Sequence, residues 1–189
     1  HYQPQTDMIT GVLKGAEALL RWDNEELGSV PPAEFVPIAE QCGLILAIGE
    51  WVLRTACQQA KVWRDRGVLL PRIGVNVSAK QFYQQNFPLV VERVLLETGL
   101  EAHVLEIEIT ESLLMENTDR AIATMHGLRA LGVQIALDDF GTGYSSLSRL
   151  KEFPIDCLKI DHSFVRDIST DVNDQAIASA VLAMAGSLN

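Results

Sequence analysis

Cysteine is scarce: Cys42, Cys57 and Cys157 are the only three, they lie far apart, and none has the paired spacing of a metal finger. An odd, scattered set excludes a disulfide framework and a zinc finger, and predicts reduced core thiols in a cytoplasmic protein. Long apolar runs are lacking too. No segment approaches the roughly 18 residues of a membrane span, and the opening HYQPQTDM has no basic stretch leading into an apolar one. The expectation is a segment neither spanning nor secreted by its own signal, although a longer parent chain could be tethered to a membrane. Basic residues are outnumbered 15 to 25, giving a net charge of -10, which argues against a nonspecific DNA or RNA surface or an anionic-membrane patch. Any anionic ligand needs local help. With 48% hydrophobic and 21% charged residues, the 189-residue chain can build a core. No repeat or low-complexity linker divides it, so a single domain is expected.

What is present alternates. Short β-branched runs at 72–78 (RIGVNVS), 104–112 (VLEIEITES), 133–140 (VQIALDDF) and 157–164 (CLKIDHSF) are separated by stretches of helical period. Helices are predicted over 48–66, ending before Gly67; 88–98, stopped by Gly99; 117–131, stopped by Gly132; and from Asp174, with Ile177, Val181, Met184 and Leu188 on one face. The first 22 residues read instead as two strands joined by a turn at Thr10 and Gly11, hence an antiparallel start to a βαβα chain. Trp22, Trp51 and Trp63 are expected to pack in the core or helix layer. His1, His103, His126 and His162 have no ligand spacing and are expected at the surface or in packing.

Alternate strand residues face opposite sides. Ile73, Val75, Val77, Leu105, Ile107, Ile109, Val133, Ile135 and Leu137 form aliphatic faces suited to an outer helix layer; the opposite faces are small or polar, suited to the inside of a barrel. Those polar faces end in Glu17, Asn76, Glu108, Asp138 and Lys159, one group near the C-terminal end of each of five strands, where barrel active sites sit. Three carboxylates and an amide oxygen converging on one point call for a hard cation, Mg²⁺ or Mn²⁺. Asp139 could hold a second ion, and two ions roughly 4 Å apart are a recurring device for phosphodiester hydrolysis. Lys159 on an inward face needs a carboxylate or phosphate partner. Arg21 reads equally as a surface charge or a phosphate contact, and Glu106, deeper on the Glu108 face, as structural.

These residues resemble the EAL domain, the bacterial cyclic di-GMP phosphodiesterase family. The matching pieces are HYQP (1–4), EALLRW (17–22), PAEFVPIAEQCGLI (32–45), IGEWVL (48–53), NVSAKQF (76–82), EITES (108–112), DDFGTGYSSLSRLK (138–151) and LKIDHSFVRDI (158–168), in family order along essentially the whole chain. The resemblance implies a TIM-like (β/α)8 barrel with an antiparallel first strand that hydrolyses cyclic di-GMP to linear pGpG with two Mg²⁺ or Mn²⁺ ions. It assigns Glu17, Asn76, Glu108 and Asp138 as metal ligands, Asp139 as the second-metal carboxylate and Lys159 as the lysine orienting the attacking water. Glu111 matches a glutamate steadying the loop Phe140–Ser146, which in the family links the metal site to dimerisation, so a homodimer through that loop is implied. Gln3 and Arg21 match substrate contacts and Leu20 a residue beside a guanine. The position after EALLRW, often histidine in the family, is Asp23.

Sensory or GGDEF domains in a parent chain also accord with the resemblance. Family members run roughly fifty residues further, through a strand with A-E-G-V-E and a last strand bearing a glutamine, whereas six strand candidates cannot close an eight-stranded barrel. Residues 1–189 are therefore expected to be one EAL-type domain lacking its C-terminal strands, and poorly stable and inactive in isolation. The rival reading is an inactive receptor that binds cyclic di-GMP and signals to a partner; an eroded ligand set would favour it, and this set is intact as far as the chain goes.

Overall fold

The computed structural model describes residues 1–141 and 150–187. Strand β1 (Tyr2–Thr6) pairs antiparallel with β2 (Leu13–Ala18). The turn between them is tied by Asp7, whose Oδ1 accepts from the Ile9 and Thr10 amides and the Thr10 hydroxyl, and Gly11 adopts φ +67°. Next comes a separate hairpin, β3 (Trp22–Asn24) and β4 (Gly28–Val30), too short to leave a period-2 signal and absent from the sequence-based expectation. Strands β5 (Ile73–Asn76), β6 (Leu105–Thr110), β7 (Gln134–Phe140) and β8 (Cys157–Ile160) complete a six-stranded sheet of order β1-β2-β5-β6-β7-β8, parallel from β2 onward. This is an α/β fold with a partly open sheet, of the incomplete TIM-like kind. Within the described residues β1 and β8 are its edges.

The helices are α1 (Pro32–Gln41), α2 (Ile45–Asp65), α3 (Ala79–Phe82), α4 (Phe87–Thr98), α5 (Glu111–Glu116), α6 (Thr118–Ala130), α7 (Ser163–Arg166) and α8 (Val172–Ser187), with a 3-10 turn at Ala102–Val104. Gly99, at φ +66°, ends α4 in the left-handed conformation that its sequence position suggested. Ser78 and Gln81 form a reciprocal capping box at α3, so the chain leaving β5 turns directly at the end of the strand.

The aliphatic strand faces meet the helices as the alternation requires. Ile73, Leu105, Ile107, Ile135 and Leu137 are fully buried in one cluster with Leu53, Ala56, Cys57 and Ala60 of α2, Val91 and Val94 of α4, and Met125 and Leu128 of α6. Burial of each large aliphatic side chain contributes about 1.5–3 kcal/mol, which fixes strand register and thereby the opposite, polar face.

Four expectations are corrected. Trp51 is 58% exposed, because the side of α2 that bears it faces outward; Trp22, 39% exposed, packs edge-on against Phe35 of α1 at 5.6 Å, and Trp63 packs against the core, edge-on to Tyr2 at 4.8 Å. Cys42, at the end of α1, is exposed rather than in the core. The buried stripe of α8 runs through Ala178, Val181 and Met184, leaving Ile177 exposed. Helix α2 begins at Ile45 rather than Ile48, since the chain leaves the left-handed Gly43 and Leu44 is already in the right-handed helical conformation. Leu188 lies outside the described residues. No helix among them is long and apolar enough to cross a membrane. All four histidines are exposed.

Candidate active site

Five of the six strands of the main sheet each deliver one polar group to its carboxyl end. Glu17 comes from β2, Asn76 from the last position of β5, Glu108 from β6, Asp138 from β7 and Lys159 from β8. Glu17, Glu108 and Asp138 converge, with one carboxylate oxygen from each within 4.8 Å of the others. The Lys159 ammonium sits among them: Nζ donates to Glu108 Oε2 at 2.7 Å, Asp138 Oδ2 at 3.0 Å and Glu17 Oε2 at 3.1 Å. Asn76 joins the set from the side, its Nδ2 donating to Glu17 Oε1 at 2.8 Å. The inward lysine thus has the carboxylate partners its position demanded.

The electrostatics are set by burial. Glu108 is 1% exposed, and burial pushes its carboxyl up to about 7; Lys159 pulls it back, while Glu17 and Asp138 raise it further. Burial would lower Lys159, but Glu108 and Asp138 outweigh it and hold the ammonium above the ordinary lysine range. With all three carboxylates ionised, one ammonium leaves two negative charges, the complement of one divalent ion. Glu108 Oε1 is buried with no hydrogen-bond partner, as expected of an oxygen kept for a cation. The donor set is all oxygen, so the cluster can coordinate a hard metal ion.

Asp139 stands outside that three-acid group. It has φ +54°, and it alone among the described non-glycine residues has a positive φ; its amide donates to Asp138 Oδ1 at 2.9 Å. Its side chain hydrogen-bonds with Asp161, and burial, then the charges of Asp138 and Asp161, push its carboxyl up. Left-handed backbone at a non-glycine residue costs of order 1 kcal/mol and is common at functional sites.

Glu111, at the start of α5, is buried, and its Oε2 accepts the Gly141 amide at 3.2 Å. Phe140 is buried and Gly141 has φ +102°. Residues 142–149, which include the remainder of the loop expected to mediate dimerisation, lie outside the described residues. Gln3 stands opposite Glu17 in the β1–β2 register. Leu20 and Arg21 follow β2 and, with Asn76, Gly49 and Gln81, line a cavity of about 470 Å³ beside the cluster; Arg21 is exposed, its Nη1 donating to the Leu20 carbonyl at 2.7 Å.

Two site features escaped the sequence reading. Gly74 lies under Glu108: a Cβ there would collide with Oε1, so only glycine leaves room for the carboxylate. A glycine between Ile73 and Val75 in a strand was the available signal. Glu106, read as structural, is 1% exposed and paired with Arg72 at 3.3 Å; no period links residue 72 to 106.

An α/β sheet with an antiparallel entry strand and an acidic, lysine-centred cluster at its carboxyl ends defines the class. The chain belongs to the EAL domain family, whose description matches residues 1–189. It is 44% identical over 189 residues to the bifunctional diguanylate cyclase/cyclic di-GMP phosphodiesterase MucR of Pseudomonas aeruginosa, and 43% identical over 189 residues to the cyclic di-GMP phosphodiesterase PdeR of Escherichia coli; each alignment covers 100% of this chain and 28% of the relative. The structure of the MucR phosphodiesterase in complex with c-di-GMP superposes with a TM-score of 0.96 at 44% identity, covering 100% of this chain and 76% of that one. The chain thus spans about a quarter of the length of these two curated relatives.

Proposed function

We propose that this domain hydrolyses one phosphodiester of cyclic di-GMP, giving linear pGpG. The observation that carries the reading is the Glu17, Glu108 and Asp138 cluster around Lys159, with Asn76 beside it, at the carboxyl ends of the strands. Relatives named as cyclic di-GMP phosphodiesterases at 43–44% identity support the substrate.

Glu17, Asn76, Glu108 and Asp138 would hold Mg²⁺ or Mn²⁺, and Asp139 a second ion. When bound, such ions lower the pKa of water and stabilise charge on a phosphoryl group. The chain's own residues do the rest. Arg21 and Gln3 contact the dinucleotide, and Leu20 packs beside a guanine base. Lys159 orients the attacking water. That water forms a new P–O bond in line with the P–O3′ bond that breaks; it gives up a proton to solvent, and the leaving O3′ takes one up from solvent. Glu111 acts at a distance by holding the Gly141 backbone. Held by these residues, such ions would also reverse the local sign, which would let an acidic protein bind an anionic nucleotide.

The test is incubation of the full-length gene product with cyclic di-GMP, with and without Mg²⁺ or Mn²⁺, following pGpG by chromatography and nucleotide binding by calorimetry. Metal-dependent pGpG formation is expected. Binding with no product under any metal condition would make the domain a receptor and contradict the hydrolytic reading.

A further inference from the structure

Gln81 is a buried polar side chain, 6% exposed, that the reaction above does not use. Its oxygen is committed: Oε1 accepts from the Ser78 amide at 3.3 Å and the Ser78 hydroxyl at 3.0 Å, in the capping box of α3. A backbone N–H can only donate, so the side-chain amide cannot flip, and Nε2 is held as a donor facing away from Ser78. Among the described residues Nε2 has no acceptor. It rests against Gly49 of α2, where a Cβ would collide with it. Glycine inside the 21-residue α2 weakens the helix relative to alanine, and here its missing side chain makes room for the amide. Gly49 and Gln81 meet in the wall of the cavity of about 470 Å³ beside the acidic cluster, among the aliphatic side chains of Leu20, Val36, Ile45 and Ile48. The same pair borders an outer cavity of about 530 Å³ between α2 and α4, where the charged groups Glu50 and Arg93 satisfy each other at 2.8 Å; the inner cavity adjoins the cluster that would act on a bound dinucleotide.

We propose that Gln81 selects the base: its Nε2 donates to O6 or N7 of one guanine of the dinucleotide. The inference rests on the cyclic di-GMP reading above and extends it to how guanine is chosen. Guanine presents acceptors at both O6 and N7, which suit a fixed donor, whereas adenine presents a donor at N6, which would meet another donor. A free side-chain amide could rotate to serve either base. The Ser78 lock removes that choice, and an amide already held at its oxygen end loses little rotamer freedom when the base arrives. The aliphatic walls contribute contact area without preferring one purine, so the discrimination falls to the single fixed donor.

The experiment is calorimetric titration of cyclic di-GMP and of cyclic di-AMP into the full-length gene product, in chelator and again in Ca²⁺, an oxygen-seeking ion, for wild type, Gln81→Met and Gln81→Glu, alongside melting temperature. Gln81→Glu keeps an acceptor for Ser78 and, ionised at about pH 8, offers the base no donor. Wild type should hold cyclic di-GMP at least about a hundredfold more tightly than cyclic di-AMP. In both variants that ratio should shrink roughly tenfold or more, through weaker binding of cyclic di-GMP. A ratio unchanged in either variant, including a loss shared equally by the two dinucleotides as a merely structural role would give, overturns the proposal, as does a wild type that does not discriminate. Should Gln81→Met fail to fold, Gln81→Glu decides alone by the same ratio. A wild-type protein that binds neither dinucleotide in either condition refutes the substrate reading, and this inference with it.

Discussion

The Glu108 carboxylate lies directly over Gly74, whose missing side chain is the space that Oε1 fills. Gly74→Ala should therefore push Glu108 off the Lys159 ammonium. The expected result is destabilisation of about 1–3 kcal/mol from overpacking and a weakened divalent-metal affinity. Denaturant unfolding and Mn²⁺ titration check the two separately.

Metal binding should depend on pH through Glu108. Because burial pushes this carboxyl up to about 7, it carries a proton at lower pH that a divalent ion must displace, and affinity falls as pH falls through 7. In the absence of metal the linkage has the other sign. A folded-state value above the ordinary 4.5 gives stability that is complete below 4.5 and lost as pH rises toward 7. The rise in melting temperature on adding Mn²⁺ should thus be larger at about pH 8 than at about pH 5.5.

Glu111→Ala removes the acceptor of the Gly141 amide. Hydrogen exchange at Gly141 should accelerate while the amides of β6 and β7 keep their protection, and pGpG formation should slow. The loss of one buried acceptor costs about 1–3 kcal/mol, so the fold should survive.

The thiols should differ sharply. Cys57 is fully buried and burial pushes it up to about 12, whereas Cys42 is exposed. Alkylation of the native chain at neutral pH, read by mass spectrometry, should modify Cys42 rapidly and Cys57 only on unfolding.

The strand faces were the legible part. Alternation at 105–110 and 133–138 separated Ile107 and Ile135 from Glu108 and Asp138 before any fold was known, because period 2 leaves a side chain only two directions. The convergence of Glu17, Glu108, Asp138 and Lys159 follows from parallel strands carrying their polar groups at corresponding ends. The β3–β4 hairpin was not legible, since three residues cannot establish a period. Nor was the exposure of Trp51, which depends on what α2 packs against, or the Arg72–Glu106 pair, made by residues far apart in sequence. Gly74 was visible, but its purpose required the position of Glu108.

Metal-dependent hydrolysis in the full-length gene product, compared between wild type and Glu17→Ala, tests the central claim most directly. Removing Glu17 takes one carboxylate from the three-acid cluster and the acceptor from the Asn76 amide. The expected result is pGpG formation by wild type only with Mg²⁺ or Mn²⁺, and a loss of at least about a hundredfold in the variant at saturating metal, with the fold intact. Near wild-type turnover by Glu17→Ala, or wild-type turnover unaffected by chelator, would contradict the account.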